Sequence, residues 1–152
     1  MRTWLTRCEE SHSTCNKMRT TRVYYPTRLL DIGSDECHEW KLLVPAQDRL
    51  SHGAYVTLSH CWGKEYFINL RTTNIEDFRQ GRPILELPLT FQHAIIVARF
   101  LSVRYLWIDS LCIIQDSRHD WEQESGSMRD VYANSLLNIG ASASTNPSHG
   151  SF

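Results

Sequence analysis

The chain has 152 residues, which is the length of one domain with a hydrophobic core and argues against two full domains. Its 16 Lys and Arg residues balance 17 Asp and Glu residues, so no charged tail indicates binding to nucleic acid or to an anionic membrane. Hydrophobic residues make up 41% of the chain and charged residues 22%, a composition typical of globular proteins. Apolar runs such as residues 94–98 are far shorter than the ~20 residues of a membrane-spanning helix, so no membrane span is expected.

The N-terminal residues and the cysteines both bear on location. Residues 1–10 carry charge where a signal peptide has its apolar segment. The cysteine count is odd, which favours reduced thiols over a disulfide framework. A cytoplasmic protein is therefore expected.

Residues 1–53 are predicted to form a small irregular N-terminal arm. It holds two short apolar runs, at residues 28–30 and 40–44, which we interpret as short strands separated by a turn at residues 33–35. From Tyr55 the pattern changes, because residues 55–60 are β-branched and aromatic and predict a buried strand that leads into a loop. A second unit is accordingly assigned to residues 54–152.

Two helices are predicted next. Thr73 and Glu76 have the spacing of a capping box, which predicts a helix over 74–80 that ends at Gly81. Pro88 begins a stronger helical pattern that extends to 101. Its apolar residues exceed a single stripe, so we expect this helix to be buried on most sides.

The remaining segments complete an alternating pattern. Residues 104–109 predict a second central strand, and 136–142 a third. Between them a helix is expected over 120–134, begun by Asp120 or Ser117, with a shared face that comprises Trp121, Met128, Val131, Tyr132 and Ser135. Strand, helix, strand, helix, strand is the order of an α/β fold with a parallel sheet, and we predict that the three strands are parallel neighbours.

Polar residues cluster at the carboxyl ends of the predicted strands, where parallel α/β sheets bind ligands. The first strand is followed by Ser59, His60, Cys61, Trp62 and Gly63, the second by Asp109, Ser110, Cys112, Gln115 and Asp116, and the third by Ser142 and Ser144. One interpretation is a pocket shared by Ser59, Trp62, Asp109 and Gln115 that binds a nucleotide or sugar. The alternative is structural: Asp109 caps loop amides, while Trp62 and Trp107 fill the core.

The sequence gives weaker support for cysteine catalysis, metal binding, phosphate binding and nucleic-acid binding. Cys61 adjoins His60, but neighbouring residues of a strand point to opposite faces, and Cys112 lies between apolar residues as buried thiols do. Cys8, His12 and Cys15 resemble half of a zinc site that Cys37 or His38 would complete; the alternative is one face of an N-terminal helix. No glycine-rich phosphate loop is present, and the basic first 28 residues lack a nucleic-acid-binding motif.

Four sequence blocks, in order, resemble those of the fungal heterokaryon-incompatibility (HET) domain. They are residues 55–63 (YVTLSHCWG), 87–91 (LPLTF) with Ala94 and Ile95, 105–116 (YLWIDSLCIIQD) and 128–133 (MRDVYA). The resemblance covers roughly residues 54–152. The upstream Trp4, Cys8, His12 and Cys15, with residues 26–31 (PTRLLD), resemble the leader that often precedes this domain.

The resemblance implies a cytoplasmic fungal protein of non-self recognition that triggers programmed cell death, acting through self-association or a protein partner without a cofactor. It also implies a distant likeness to TIR domains and their flavodoxin-type sheet. Some TIR domains cleave NAD, so the alternative is a NAD glycohydrolase that uses Asp109 and Ser59 around Trp62.

The NAD alternative meets a departure from the TIR pattern. The TIR catalytic glutamate lies on the helix after the third strand, and no acidic residue follows residues 136–139 here. Glu122 and Glu124 precede that strand and are typical of a helix N-terminus. Either the chain is truncated at its C-terminal end, or signalling by this domain needs no such glutamate.

Overall fold

The computed structural model describes residues 2–12, 24–51, 53–64 and 66–141. The strands in these residues are β1 (Leu29–Asp31), β2 (Glu39–Leu43), β3 (Tyr55–Ser59), β4 (Arg82–Pro83), β5 (Tyr105–Ile108) and β6 (Leu137–Gly140). The α-helices are α1 (Arg2–Ser11), α2 (Ile75–Gln80), α3 (Leu89–Phe100), α4 (Asp109–Cys112) and α5 (Arg118–Ala133), and a 3₁₀ turn spans Ile84–Glu86. No helix of the described residues is both long enough and apolar enough to cross a membrane.

Three parallel strands form one half of the sheet. β3 lies between β5 and β6 and runs parallel to both, with Leu58 paired to Ile108 on one side and to Ile139 on the other. The four residues that begin β3 are all buried, as the continuous apolar run predicts. The prediction that the segments 55–60, 104–109 and 136–142 are parallel neighbours is confirmed.

The other half of the sheet is antiparallel, so the prediction of a parallel sheet holds only in part. β1 pairs antiparallel with β5 and with β2, and β4 pairs antiparallel with β2. The chain reverses at Gly33, whose φ is +63° and where a Cβ would lie 2.6 Å from Cys37 Cβ, so only glycine fits this turn. The two short strands predicted before residue 54 are confirmed, and they join the same six-stranded sheet as the later ones.

Helices α3 and α5 cover opposite faces of the parallel half. Tyr55 Oη donates to the carbonyl of Val131 on α5 (2.6 Å), and the Trp107 ring contacts that of Tyr132 with centroids 5.7 Å apart. On the other face, the His60 ring contacts Phe91 of α3 with centroids 4.8 Å apart. Alternate residues of one strand therefore pack on different helices.

Two of the predicted helices begin differently from expectation. The capping box at Thr73 does not form: Asn74 is the N-cap of α2, and its Oδ1 accepts from the Arg71 amide instead. The helix predicted over 120–134 begins at Arg118, where the Ser117 hydroxyl accepts from the Asp120 amide.

The predicted burial of α3 on most sides is wrong. Leu89, Ile96 and Phe100 are 48%, 59% and 53% exposed, because the sheet covers only the opposite side of the helix. On the shared face predicted for α5, Val131 is buried but Trp121 is exposed, since Glu124 takes the inward position in that turn.

Candidate functional site

The candidate site lies where β3 and β5 end side by side. The pairing of Leu58 with Ile108 brings the next residues of each strand to the same edge of the sheet. His60 follows β3, and Asp109 begins α4 directly after β5. His60 Nδ1 lies 3.7 Å from Asp109 Oδ1, so the carboxylate is the nearest charge to the imidazole.

Trp62 closes over this pair. Its indole Nε1 donates to Asp109 Oδ2 at 2.9 Å. The indole is nearly parallel to the His60 ring, with 13° between the planes and centroids 6.2 Å apart, and about a third of Trp62 is exposed. The next residue, Gly63, has a φ of +64°, a left-handed conformation that glycine adopts without strain.

The His60 side chain is almost completely buried, at 1% exposure, among aromatic rings. Phe67 and Phe91 meet it edge-on, with centroids 6.0 and 4.8 Å away. Neither ring nitrogen has a hydrogen-bond partner among the described residues. Burial lowers the pKa of His60, and the charge of Asp109 opposes this in part, so the surroundings favour the neutral imidazole.

Asp109 also has the structural role that the alternative interpretation assigns to it. Its Oδ1 accepts from the Ser110 amide at 2.7 Å, while Oδ2 accepts from Trp62. Its side chain is 24% exposed, and solvent therefore reaches it. The carboxylate thus joins loop backbone, indole and imidazole in one cluster. We call His60, Trp62, Asp109, Phe67 and Phe91 the strand-end cluster.

Of the predicted shared pocket, only Trp62 and Asp109 are joined by their side chains. The Ser59 hydroxyl instead bonds Asn138 Oδ1 (3.1 Å) and Tyr132 Oη (3.4 Å). Gln115 Nε2 donates to the carbonyls of Ile113 and Asp109, which braces the loop after α4. Both side chains are engaged within the fold.

The other predicted site residues have different surroundings. Ser110 and Cys112 are buried, and burial raises the pKa of the Cys112 thiol to about 12, which does not suit a nucleophile. Asp116 is exposed and accepts from the amide and hydroxyl of Thr72, and these hydrogen bonds lower its pKa. Ser142 and Ser144 lie outside the described residues.

The predicted half of a zinc site is described only in part. Cys8 Sγ lies 3.3 Å from His12 Nδ1 near the end of α1, and Cys15 lies outside the described residues. The Cys37 thiol donates to the carbonyl of Glu39. Within the described residues no group of three or more metal-binding side chains occurs.

Two open cavities lie at the other end of the parallel strands. They have volumes of about 200 and 330 Å³ and share Gly33 and Arg104 in their linings. Arg104 is paired there with Asp31 at 2.8 Å. The cavities therefore do not coincide with the strand-end cluster.

Phe67 and Phe91 are the members of the cluster that the sequence does not predict. Phe67 lies in an irregular loop that carries no periodic signal, and Phe91 reads as an ordinary core position of α3. The one sequence signal that points to Phe91 is its place in the second resembling block, where it ends the run LPLTF.

A comparison with protein families finds a match over residues 55–152 to the family described as "Heterokaryon incompatibility protein (HET)". Searches of curated proteins and of solved structures found no match. The matched range begins at the first residue of β3 and contains the whole strand-end cluster.

Proposed function

The chain belongs to the heterokaryon incompatibility (HET) family, and we propose that it is a non-self recognition module that triggers programmed cell death through self-association or contact with a protein partner. Family membership supports the recognition role. Death induction and its mechanism are the proposal.

One observation carries the proposal that the strand-end cluster is the functional part. Three blocks that are distant in sequence meet at His60: the first supplies His60 and Trp62, the second Phe91, and the third Asp109. Buried polar groups are normally hydrogen-bonded, and an imidazole without a partner weakens the fold. Trp40 and Trp107 also bury an unpaired ring nitrogen, so what sets His60 apart is that side chains of three blocks meet at its ring, and this supports a role beyond packing.

The fourth block supports the scaffold. Val131 and Tyr132 contact Tyr55 and Trp107 on the opposite face of the sheet, away from His60. These contacts fix β3 and β5 relative to each other, and so hold the strand ends in register.

No contact of the strand-end cluster specifically supports NAD cleavage. Both oxygens of Asp109 already accept hydrogen bonds, and Ser59 bonds Asn138 and Tyr132. Glu124, the buried carboxylate of α5, lies beside Arg28 instead. Contact with a second copy or with a protein partner therefore remains the proposed mode of action.

The proposed function is tested by inducible expression of the chain in a fungal host, with viability and cellular NAD followed together. We expect cell death at an unchanged NAD level in the first hours after induction. Full viability at high levels of folded protein would contradict the death-inducing role. A fall in NAD before death would contradict this proposal and support the NAD glycohydrolase instead.

A further inference from the structure

The larger of the two open cavities lies away from the strand-end cluster and is lined by two arginines. Its volume of about 330 Å³ falls in the range of about 300–1,000 Å³ that small-molecule sites occupy. Arg99 of α3 and Arg104, the residue before β5, both line it. The turn after β1 adds Ser34 and Asp35. Residues of three separate segments therefore meet at one space.

The Arg99 guanidinium carries a charge that no described carboxylate offsets. Its Nε and Nη2 donate to the carbonyl of Ile32, and Nη2 also donates to that of Cys37 at 2.8 Å. No ion pair of Arg99 occurs within the described part of the chain. Carbonyl oxygens satisfy N–H donors but leave the positive charge in place, and Nη1 has no hydrogen-bond partner among the same residues.

Arg104 is held by Asp31, which leaves one of its nitrogens unbound. Nε and Nη2 each donate to a carboxylate oxygen of Asp31 at 2.8 Å, and Asp31 is buried. A bidentate pair of this kind fixes the plane of the guanidinium. Nη1 takes part in no hydrogen bond within the residues that the structure describes, and the Arg104 side chain is 54% exposed, so solutes reach it.

The buried backbone of Ile32 links the two arginines. Its amide donates to the carbonyl of Arg104 at 3.1 Å, and its carbonyl accepts from the Arg99 guanidinium. The next residue, Gly33, donates its amide to Asp31 Oδ1 at 3.0 Å, which ties the turn to the same pair. The arginines are therefore held in place before a ligand arrives, and this lowers the entropic cost of binding.

We propose that this cavity binds phosphate, either as the free ion or as the phosphate group of a small ester, with Nη1 of Arg99, Nη1 of Arg104 and the hydroxyl of Ser34 as donors. Guanidinium groups match the geometry and the charge of phosphate oxygens. The Ser34 hydroxyl is exposed and has no partner among the described residues. Phosphate carries more acceptor oxygens and more charge than a carboxylate, which suits a site with several donors. The inference goes beyond the proposed function, because the cavity is separate from the strand-end cluster.

Heteronuclear NMR of the isotope-labelled full chain, titrated with inorganic phosphate at constant ionic strength, tests the site. We expect the amide signals of Ser34 and Asp35 to shift saturably, with a dissociation constant of about 1 mM or below, and acetate to bind at least about fivefold more weakly. Glycerol phosphate is titrated in parallel. Tighter binding of glycerol phosphate than of inorganic phosphate supports an ester as the ligand, and equal or weaker binding supports the free ion.

Asp35 gives the sharpest variant, because its carboxylate also lines the cavity and repels an anion. Asp35 is exposed and forms no ion pair with either arginine, so its replacement breaks no described contact. Asp35→Asn should lower the dissociation constant for phosphate by at least about threefold. Glu36→Gln is the matched control, since Glu36 is the adjacent exposed acid and does not line the cavity. It should bind phosphate like the wild type.

Two further variants remove donors. Ser34→Ala should raise the dissociation constant by at least about threefold, the effect of one lost hydrogen bond. Arg104→Lys keeps a cation beside Asp31 but lacks the guanidinium, and should weaken binding by about tenfold. If Arg104→Lys does not fold, Ser34→Ala and Asp35→Asn decide the matter, because neither side chain has a described hydrogen bond to lose.

The absence of a saturable shift up to about 20 mM phosphate would overturn the site. Equal affinity for acetate would overturn the assignment to phosphate. An equal gain in Asp35→Asn and Glu36→Gln would also overturn it, since that result reports general charge and not a defined site. So would unchanged affinity in folded Ser34→Ala and Arg104→Lys.

Discussion

The imidazole of His60 lies 3.7 Å from a carboxylate, yet it is surrounded by three aromatic rings. The rings favour the neutral form, since burial removes water from a charged imidazolium, while Asp109 favours the charged form. Burial is the larger of the two effects, so the pKa of His60 lies below its ordinary value.

The lowered pKa of His60 has a definite sign in a stability measurement. Above the ordinary value near 6.5 both folded and unfolded histidine are neutral, so the full stability is present. As the pH falls below that value the unfolded state binds a proton first, and stability is lost until the folded pKa is passed. We expect the unfolding free energy of the wild type to fall more between about pH 8 and about pH 5 than that of His60→Gln. Equal losses in the two proteins would contradict the burial of a neutral imidazole.

Trp107 is a core residue, as the sequence predicts, with 1% exposure in the middle of the sheet. Trp107→Ala should lower the unfolding free energy by about 3–5 kcal/mol, because it leaves a large cavity beside Tyr132. Denaturant unfolding measures this. Trp121→Ala is the control, since Trp121 is 55% exposed, and it should cost less than about 1 kcal/mol. Similar costs for the two variants would show that Trp107 is not a packing residue.

At the scale of elements, a buried ion cluster ties the segment before β1 to α5. Arg28 bonds both oxygens of Asp120 (2.6 and 2.5 Å) and the carbonyl of Cys112 (2.6 Å). Glu124, at 2% exposure, lies 3.6 Å from the same guanidinium. Asp120 also accepts from the Ile114 amide, so the cluster fixes the connection between β5 and α5.

Removing the cation of this cluster leaves two carboxylates with little exposure and without a counterion. Arg28→Met should lower the unfolding free energy by about 3–5 kcal/mol. Arg118→Met removes an exposed partner of Glu122 and should cost at most about 1 kcal/mol. Calorimetric or denaturant unfolding of both variants gives the comparison. If the buried and exposed arginines cost the same, the cluster does not stabilise the connection.

The elements differ in how far the sequence predicts them. β3 and β5 are predicted because a short, continuous run of apolar residues suits the interior of a parallel sheet, and both strands are buried there. β6 is predicted as well, although it lies at the edge of the sheet and alternates in exposure. The antiparallel pairing of β1 with β5 is not predicted, because a strand of three residues has no periodicity and its partner is more than 70 positions away. The exposure of α3 is missed for a related reason: an apolar helix face that packs on the sheet and one that stays exposed have the same sequence pattern.

The residues of the candidate site also differ in how far the sequence predicts them. Trp62 and Asp109 follow from the rule that carboxyl ends of parallel strands meet at one edge. The predicted pocket also contains Ser59, which alternation along β3 places on the face opposite His60. Phe67 and Phe91 depend on tertiary contacts that no local pattern encodes.

At the scale of the whole molecule, the strand-end cluster and the exposed side of α3 lie on different parts of one scaffold. The strand-end cluster is at the carboxyl edge of the sheet, and Phe91 joins it to the buried side of α3. Leu89, Ile96 and Phe100 lie on the exposed side of the same helix. In the parallel half, the first strand in the chain lies between the second and the third, the arrangement that flavodoxin-type sheets also have. A TIR-like core remains a prediction.

The central claim is that the strand-end cluster acts in death signalling, and the charge of Asp109 tests it most directly. Asparagine keeps the shape of the side chain, but its single acceptor oxygen serves only one of the two N–H donors that Asp109 binds, at a cost of about 1–3 kcal/mol. Asp116→Asn is the matched control, because Asp116 also accepts from a backbone amide and a side chain.

The measurement is the surviving fraction of fungal cells that express each variant at equal amounts of soluble protein. We expect Asp109→Asn to leave the cells alive while Asp116→Asn kills like the wild type. Wild-type killing by folded Asp109→Asn would contradict the account and leave Asp109 as a cap of the loop.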